Sequence, residues 1–239
     1  MNRYKSSSQL KSLAKGQLLG KYPSVIGAFL IMQLISLMLS GISGIIVDTS
    51  TWYGMIINYL VSFISSTFMG IFWVGQTYIY LNISCGRPCK ASDIFYGFTQ
   101  HTDKALLLML IEGAINLACG LPFTIITLMS KNSIDIAWVF PICMAAIISV
   151  VLIYYFMLAF SLTFYLLLDF PDYSVKQILS LSMKIMKGHK ARMLYIMVST
   201  LPLMLLGLLS CGIGLLWVMP YYYATMANFY LDLMRNRQP

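Results

Sequence analysis

Long stretches without a charged residue alternate along the chain with short segments in which charges cluster. Four stretches carry no charge and a fifth carries only Glu112; together they cover residues 22–47, 49–86, 105–130, 136–168 and 193–231. A helix needs about 20 residues to cross the hydrocarbon layer of a bilayer. The apolar residues are continuous within each stretch, which favours membrane helices over the alternating strands of a barrel.

The lengths of these stretches predict six transmembrane helices. The first four stretches each predict one helix, long or tilted where the stretch exceeds one crossing. The last stretch has Ser-Cys-Gly-Ile-Gly at 210–214 near its middle, which is typical of a turn. We therefore expect two short helices there, at about 193–210 and 214–233. The predicted fold is all-α: a polytopic membrane helical bundle of three hairpins.

The composition excludes the main soluble classes of protein. Of the 239 residues, 59% are hydrophobic and 10% are charged, whereas soluble domains carry roughly 25% charged residues. Such a chain cannot cover a water-facing surface, which excludes a soluble enzyme, a secreted disulfide scaffold, a disordered chain and a nucleic-acid-binding domain. The lipid bilayer is therefore the first expected partner. The net charge of +8 would suit nucleic acid, but the positions of the charges indicate a membrane topology instead.

The basic residues fall almost entirely on one side of the predicted membrane. Fifteen of the sixteen Lys and Arg residues lie in 1–21, 84–104, 169–192 and the C-terminal tail. The segments on the opposite side carry Lys131, Asp48 and Asp135. Because cytoplasmic loops are rich in Lys and Arg, we expect both termini to lie in the cytoplasm.

The predicted hairpins follow one another at similar intervals. Lys21, Lys104 and Lys190 open the three outward helices at spacings of 83 and 86 residues. Ser-Gly-Ile-Ser-Gly at 40–44 also lies 170 positions before the turn at 210–214. These spacings favour an internal repeat of helical hairpins, although any protein with six helices has spacings near 80 residues. The single membrane domain over 1–239 would then consist of repeat units near 1–83, 84–169 and 170–239.

Two cytoplasmic segments have an apolar face and a basic face. Between 174 and 187, the aliphatic side chains fall within one arc of about 200° of a helical projection, and Lys176, Lys184 and Lys187 fall in the opposite arc. The segment around Lys11 and Lys15 has the same pattern more weakly. Amphipathic helices of this kind lie in the membrane interface, so we expect these lysines to contact anionic lipid headgroups. A packed interfacial linker explains such a segment better than regulatory lipid sensing does.

Glu112 is the main candidate for intramembrane chemistry. It lies two turns into the third predicted membrane helix, and a charge at mid-bilayer costs about 2.5–3.5 kcal/mol on insertion scales. Asn116 follows at i+4, so the two side chains share a helix face and are able to hydrogen-bond. The pair is either a proton or cation site, or a structural contact between helices, and the structural contact is the simpler interpretation.

No other motif indicates catalysis, and we expect no catalytic residues and no cofactor. The C-x₃-C spacing of Cys85 and Cys89, with His101 nearby, is a weak metal signal because no second pair follows. We therefore expect no bound metal. Phosphate-binding loops, zinc-protease motifs and nucleophile elbows are absent from the sequence.

Several motifs resemble a family of bacterial integral membrane proteins of unknown function. They are Ser-Met-Lys-Ile-Met-Lys-Gly-His-Lys at 182–190, Gly-Ile-Gly-Leu-Leu-Trp-Val-Met-Pro-Tyr at 212–221 and Ala-Asn-Phe-Tyr at 227–230. The segments 10–21 and 93–98 are also similar to that family, which is catalogued as domain of unknown function 975. The resemblance implies a multi-pass protein of the bacterial plasma membrane, without an established activity. A distant similarity to the membrane domains of glycerophosphodiester phosphodiesterases favours a scaffold or lipid-handling role by analogy.

Two functions follow as hypotheses from these observations. The first is a non-enzymatic scaffold or accessory protein that packs with another membrane protein. The second is a small permease or exporter centred on Glu112 and Asn116, with helices broken at the nearby Gly and Pro residues, which are Gly120, Pro122, Pro141 and Pro202. An intramembrane enzyme is the third choice. A polar cavity that reaches Glu112 would favour the permease, whereas a bundle packed solidly with Met, Leu and Phe would favour the scaffold.

Overall fold

A computed structural model of the chain describes residues 4–46, 52–130 and 136–236. Within these ranges the protein is built from helices, and no strand occurs. The helices are α1 (Ser7–Leu18), α2 (Tyr22–Ile46), α3 (Trp52–Ser84), a 3₁₀ helix (Ala91–Phe95), α4 (Tyr96–Thr99), α5 (Thr102–Ser130), α6 (Ile136–Phe160), α7 (Thr163–Asp169), α8 (Val175–Met186), α9 (Lys190–Leu209) and α10 (Leu215–Arg235). The all-α prediction is therefore confirmed. Lys131, Asp48 and Asp135, which were expected on the outer side, lie outside the described residues.

Five stretches of helix are long and apolar enough to cross a membrane. They are Tyr22–Gly41, Ile56–Ser84, Thr102–Ser130, Ala137–Asp169 and Lys190–Leu209. Between 11% and 22% of the residues in the apolar window of each stretch are buried inside the protein, so most of these apolar residues lie at least partly on the surface of the bundle. The five stretches coincide with five of the six predicted spans.

The sixth predicted span is α10, which is less apolar than the other five. It packs against α1, α2, α3 and α9, so most of its surface touches protein and not lipid. Thr225, Asn228 and Asp232 are all buried there. A helix enclosed by other helices tolerates polar residues that a lipid-facing helix would not, which explains its lower hydropathy.

The turn at 210–214 lies where the sequence predicts it. Cys211 and Gly212 have φ angles of 55° and 82°, the left-handed conformation that glycine adopts without strain. The Ser210 hydroxyl accepts a hydrogen bond from the Gly214 backbone N–H at 2.8 Å. By contrast, residues 40–44, which match this turn in sequence, are helical within α2.

The helices break at a different place from the one expected. The stretch 136–168 was expected to form one long helix, but a turn at Ser161 and Leu162 divides it into α6 and α7. The side chains of Ser161 and Thr163 donate to the carbonyl oxygens of Leu158 and Phe160, at 2.9 and 2.8 Å. These bonds satisfy carbonyl groups near the end of α6, so the break leaves fewer backbone groups without partners.

The expectation of breaks at Gly120, Pro122, Pro141 and Pro202 is wrong. Pro122, Pro141 and Pro202 lie inside α5, α6 and α9 respectively, and each helix continues through its proline. Membrane helices tolerate proline because other groups satisfy the freed carbonyl.

The segments that precede α2, α5 and α9 begin in similar ways. Ser6 and Ser174 each form a reciprocal capping box with the glutamine three residues later. Midway between them, the backbone N–H of Lys90 donates to the Asp93 carboxylate at 2.8 Å. The three caps are 84 residues apart, and the residue four positions after each cap is fully buried; these residues are Leu10, Ile94 and Ile178.

Two glycines allow the 3₁₀ helix and α4 to pack closely on α3. A methyl group on Gly75 would overlap the backbone of Ile94, and a methyl group on Gly97 would overlap the carbonyl oxygen of Ile71. In one contact the glycine belongs to α3, and in the other it belongs to α4. The backbones therefore lie directly against each other, which fixes the segment between α3 and α5 to the bundle.

Most of the buried core lies at one end of the bundle, which we call the basic end. It comprises α1, the segment 84–101, α8 and the adjoining turns of the long helices. Every Lys and Arg of the described residues belongs to this end. Toward the opposite end, large apolar side chains are exposed, such as Leu37 on α2, Leu128 on α5 and Leu209 on α9.

Candidate functional site

Glu112 faces the break between α6 and α7. Its Oε1 atom accepts a hydrogen bond from the Thr163 hydroxyl at 2.9 Å. Thr163 is 1% exposed, and its hydroxyl also lies 2.8 Å from the carbonyl oxygen of Phe160. A carboxyl group on α5 is therefore attached to the point at which the α6–α7 stretch is interrupted.

This arrangement suits either protonation state of Glu112. If the carboxylate is ionised, Thr163 donates to it. If the carboxyl group is protonated, Glu112 donates to the Thr163 oxygen, and the threonine hydroxyl then donates to Phe160, whose carbonyl oxygen only accepts. Chemically, the site is therefore able to hold or release one proton without losing the contact between α5 and α7.

Asn116 does not take part in this contact. It is exposed on the surface of α5, and within the described parts of the chain no hydrogen bond joins it to Glu112. The structure therefore separates the two residues that the sequence suggested as one site. The partner of Glu112 is Thr163 instead of Asn116. This role was not predictable, because Thr163 lies 51 residues from Glu112 in the chain and next to the helix break.

A second polar cluster joins both ends of the chain at the basic end. Arg192 on α9 and Asp232 on α10 form an ion pair with an N–O distance of 2.5 Å. Asp232 also accepts hydrogen bonds from the backbone N–H of Lys5, and Arg192 donates to the Lys5 carbonyl oxygen at 2.5 Å. Arg192 lies over the rings of Tyr4 and Phe229, at 5.3 and 5.1 Å. We call the group of Lys5, Arg192 and Asp232 the terminal clasp.

The sequence itself contains a signal for the ion pair of the terminal clasp. Arg192 and Asp232 are the charged residues on either side of the uncharged stretch 193–231. If that stretch folds back at 210–214, its two ends meet, and so do the charges next to them.

The histidine beside the clasp, His189, has a lowered pKa. Burial is the first cause and the nearby Arg192 the second, because both disfavour the charged form, whereas Asp232 opposes the shift.

The five lysines predicted to contact lipid fall into two groups. Lys176 and Lys184 on α8 are exposed, and so is Lys187, which directly follows the helix. The opposite face of α8, which includes Ile178, Ile185 and the hydroxyl of Ser182 bonded to Ala159, is buried against α6 and α7. One face of α8 is therefore packed against the bundle, and the contact of its lysines with lipid headgroups stays a prediction.

Lys11 and Lys15 line a cavity of about 370 Å³ between α1, α9 and α10. The ammonium group of Lys11 donates to the carbonyl oxygen and the hydroxyl of Ser199, at 3.0 and 2.8 Å. Burial lowers the pKa of this ammonium group from its ordinary value.

A second cavity, of about 400 Å³, lies between α2, α3 and α5 and is lined by five serines, by Gln33 and by apolar side chains such as Met69 and Trp73. Neither of the two cavities is lined by Glu112 or Asn116. Among the described residues, no three His, Cys, Asp or Glu side chains come together in a way that would hold a metal ion. Cys85 and Cys89 are free thiols.

These features define the class of the protein: an all-helical polypeptide with several helices of membrane-spanning length and apolarity. Residues 1–237 match a family described as "Protein of unknown function (DUF975)". The chain therefore belongs to this family, as its sequence motifs indicated. No curated protein and no solved structure matches the chain.

Proposed function

We propose that this protein is a non-enzymatic scaffold or accessory protein of the bacterial plasma membrane. The observation that carries the proposal is that the charged side chains inside the bundle are bonded to the protein itself. Glu112 bonds to Thr163, and Arg192 and Asp232 bond to each other and to Lys5. None of the three lines either cavity, so these charges serve the packing of helices. The long apolar faces remain available to a neighbouring membrane protein.

Photo-crosslinking from the exposed apolar faces tests the scaffold. A photoreactive amino acid replaces Met38, Phe140 or Leu209, which are 70%, 73% and 82% exposed. We expect at least one position to form a discrete adduct with one membrane protein in living cells. The control is the same substitution at the exposed Lys187, directly after α8, which should not form that adduct. Adducts with lipid alone at all three positions would overturn the proposal.

The proposal includes six spans with both termini in the cytoplasm. The ion pair between Arg192 and Asp232 supports the sixth span, because it brings the last turn of α10 back to the start of α9. The matching caps at Ser6, Lys90 and Ser174 support three repeated units. The clustering of basic residues at one end supports the orientation.

Two native cysteines make the orientation testable. Cys85 lies at the basic end, Cys211 lies in the turn between α9 and α10, and both are exposed. In single-cysteine variants, a membrane-impermeant maleimide should label Cys211 in intact cells and Cys85 only after permeabilisation. A cysteine in place of the exposed Arg235 should behave like Cys85 if α10 crosses the membrane. Labelling of this third variant in intact cells would contradict six spans.

A small permease is the second candidate, and one observation favours it. The break between α6 and α7 lies beside a carboxyl group whose partner accommodates both protonation states, and interrupted helices occur at the transport sites of membrane carriers. For a permease, Glu112→Gln would abolish complementation of a deletion strain while the variant still inserts and folds. For a scaffold, the same variant would complement like wild type.

A further inference from the structure

The cavity beside α1 combines positive charge with hydroxyl groups. Ser7, Lys11 and Lys15 follow one another at i, i+4 and i+8, which places them on one face of the helix. Ser199 and Tyr195 of α9 and Tyr221 of α10 complete the wall. The adjoining face of α1, formed by Leu10, Ala14 and Leu18, is fully buried, so packing fixes the rotation of the helix and with it the direction of the polar face.

The positive charge in this cavity is not neutralised by the protein. Its lining residues all belong to the described part of the chain, and none of them is acidic. An ammonium group has three N–H donors, and Ser199 accepts from the Lys11 ammonium through two atoms. The Ser7 hydroxyl is buried and has no hydrogen-bond partner among the described residues. The cavity thus holds donors for a ligand with anionic oxygen atoms.

An apolar surface continues from the cavity along α9. Tyr195 and Ser199 lie on one side of that helix, and Val198, Leu205 and Leu206 follow on the same broad face. These three are 53%, 59% and 63% exposed. A ligand that occupies the cavity and follows this surface needs an anionic head and a hydrocarbon tail.

We propose that the cavity between α1, α9 and α10 binds the phosphate of an anionic phospholipid headgroup, with the acyl chains along α9. Lys11 and Lys15 pair with the phosphate, and the hydroxyls of Ser7 and Tyr195 donate to its oxygens. A choline headgroup is disfavoured because its quaternary ammonium would lie beside two lysines. This site goes beyond the proposed scaffold role and does not depend on it.

Native mass spectrometry of the full-length, delipidated protein tests the site. The probes are phosphatidylglycerol, phosphatidylcholine with identical acyl chains, and inorganic phosphate. We expect one phosphatidylglycerol to bind at least tenfold more tightly than phosphatidylcholine, and no binding of inorganic phosphate at millimolar concentration. Equal affinity for the two lipids would overturn the proposal. Binding of phosphate as tight as that of phosphatidylglycerol would also overturn it, because the site would then accept a soluble anion.

Variants assign the binding to this cavity. Lys11→Met with Lys15→Met should weaken phosphatidylglycerol binding roughly thirtyfold, as expected for the loss of two lysines at a membrane surface. The matched control is Lys184→Met with Lys187→Met, which removes the same charge from two exposed positions at the C-terminal end of α8 and should change binding less than threefold. Lys15→Met alone, at an exposed position, keeps the Lys11–Ser199 bonds and should still weaken binding about fivefold. Equal effects of the two double variants would show that bound lipid responds to net charge alone and would refute the site.

Discussion

The carboxylate of Asp232 lies 2.5 Å from the guanidinium of Arg192, although 40 residues separate them in the chain. Both groups also bond to the backbone of Lys5. The ion pair therefore links the segment before α1 to the hairpin formed by the last two long helices. Asp232 is almost fully buried, whereas Arg192 keeps a fifth of its side chain exposed.

Removal of one member of this pair should destabilise the protein. Asp232→Leu leaves the Arg192 charge without its partner, which we expect to cost about 3 kcal/mol and to lower the melting temperature in detergent. Arg192→Met in the same background should recover most of this loss, because an apolar pair avoids the unpaired buried charge. The control Arg87→Met, at an exposed arginine, should change stability by less than about 0.5 kcal/mol. An Asp232→Leu variant as stable as that control would contradict the role of the pair.

The stability of the protein should fall as the solution is acidified below neutral pH, in part because of His189. Its pKa in the fold is lowered from the ordinary value of 6.5, first by burial and then by Arg192. The unfolded chain then binds more protons than the folded one, and stability is lost as the pH falls through 6.5 toward the folded pKa.

His189→Gln should flatten this pH dependence, as measured by thermal unfolding between pH 7.5 and 5.5. The control is His101→Asn, since asparagine tolerates the left-handed φ of 62° at that position. An identical slope in the His189 variant and in wild type would exclude this histidine as a source of the effect.

Close packing at Gly75 should make alanine harmful there. Gly75→Ala puts a methyl group into the backbone of Ile94, and we expect this to cost about 1–3 kcal/mol. Gly120 is a matched control because it is also helical and a methyl group there meets nothing within 4 Å. Gly120→Ala should be neutral or stabilise by up to about 1 kcal/mol. Thermal unfolding followed by circular dichroism compares the two variants, and equal melting temperatures would argue against the contact.

The contact between Glu112 and Thr163 should appear as an energetic coupling. Thr163→Val removes the donor to Glu112 and should cost about 1–3 kcal/mol. In a Glu112→Leu background the same change should cost less, because the carboxyl group that needs a donor is gone. Thr127→Val is the control, since the Thr127 hydroxyl bonds to carbonyl oxygens of its own helix. Additive effects of the Thr163 and Glu112 substitutions in a double-mutant cycle would rule out the coupling.

The sequence predicts the five long apolar helices of this fold well, because their hydropathy is a property of the residues themselves and needs no tertiary contact to be recognised. The turn at 210–214 and the starts of α2, α5 and α9 lie at or near the predicted residues. Lys184 is exposed on α8, as the helical projection of 174–187 predicts, and the capping of that helix by Ser174 is a local interaction as well. These features depend on neighbours within a few residues, and no distant contact is needed to specify them.

The features that were missed depend on contacts between distant segments. The sequence around Ser161 and Leu162 looks like that of an unbroken apolar helix. The hydroxyl groups that bond to the carbonyl oxygens at the break are common in membrane helices and therefore do not mark it. The pairing of Glu112 with Thr163 follows from that break. The cavity beside Lys11 requires three helices to meet, and a single helix projection gives no information about them.

The contacts between α1 and α10 have a consequence for biosynthesis. α1 packs against α10, and Gln17 accepts a hydrogen bond from Asn228 at 2.6 Å. The ribosome makes α10 after α1 and all the helices between them, so α1 waits until those helices have been synthesised before it meets this neighbour. A nascent chain that stops before Asn228 would leave α1 without this bond to α10, and such fragments should be preferred substrates of membrane quality-control proteases.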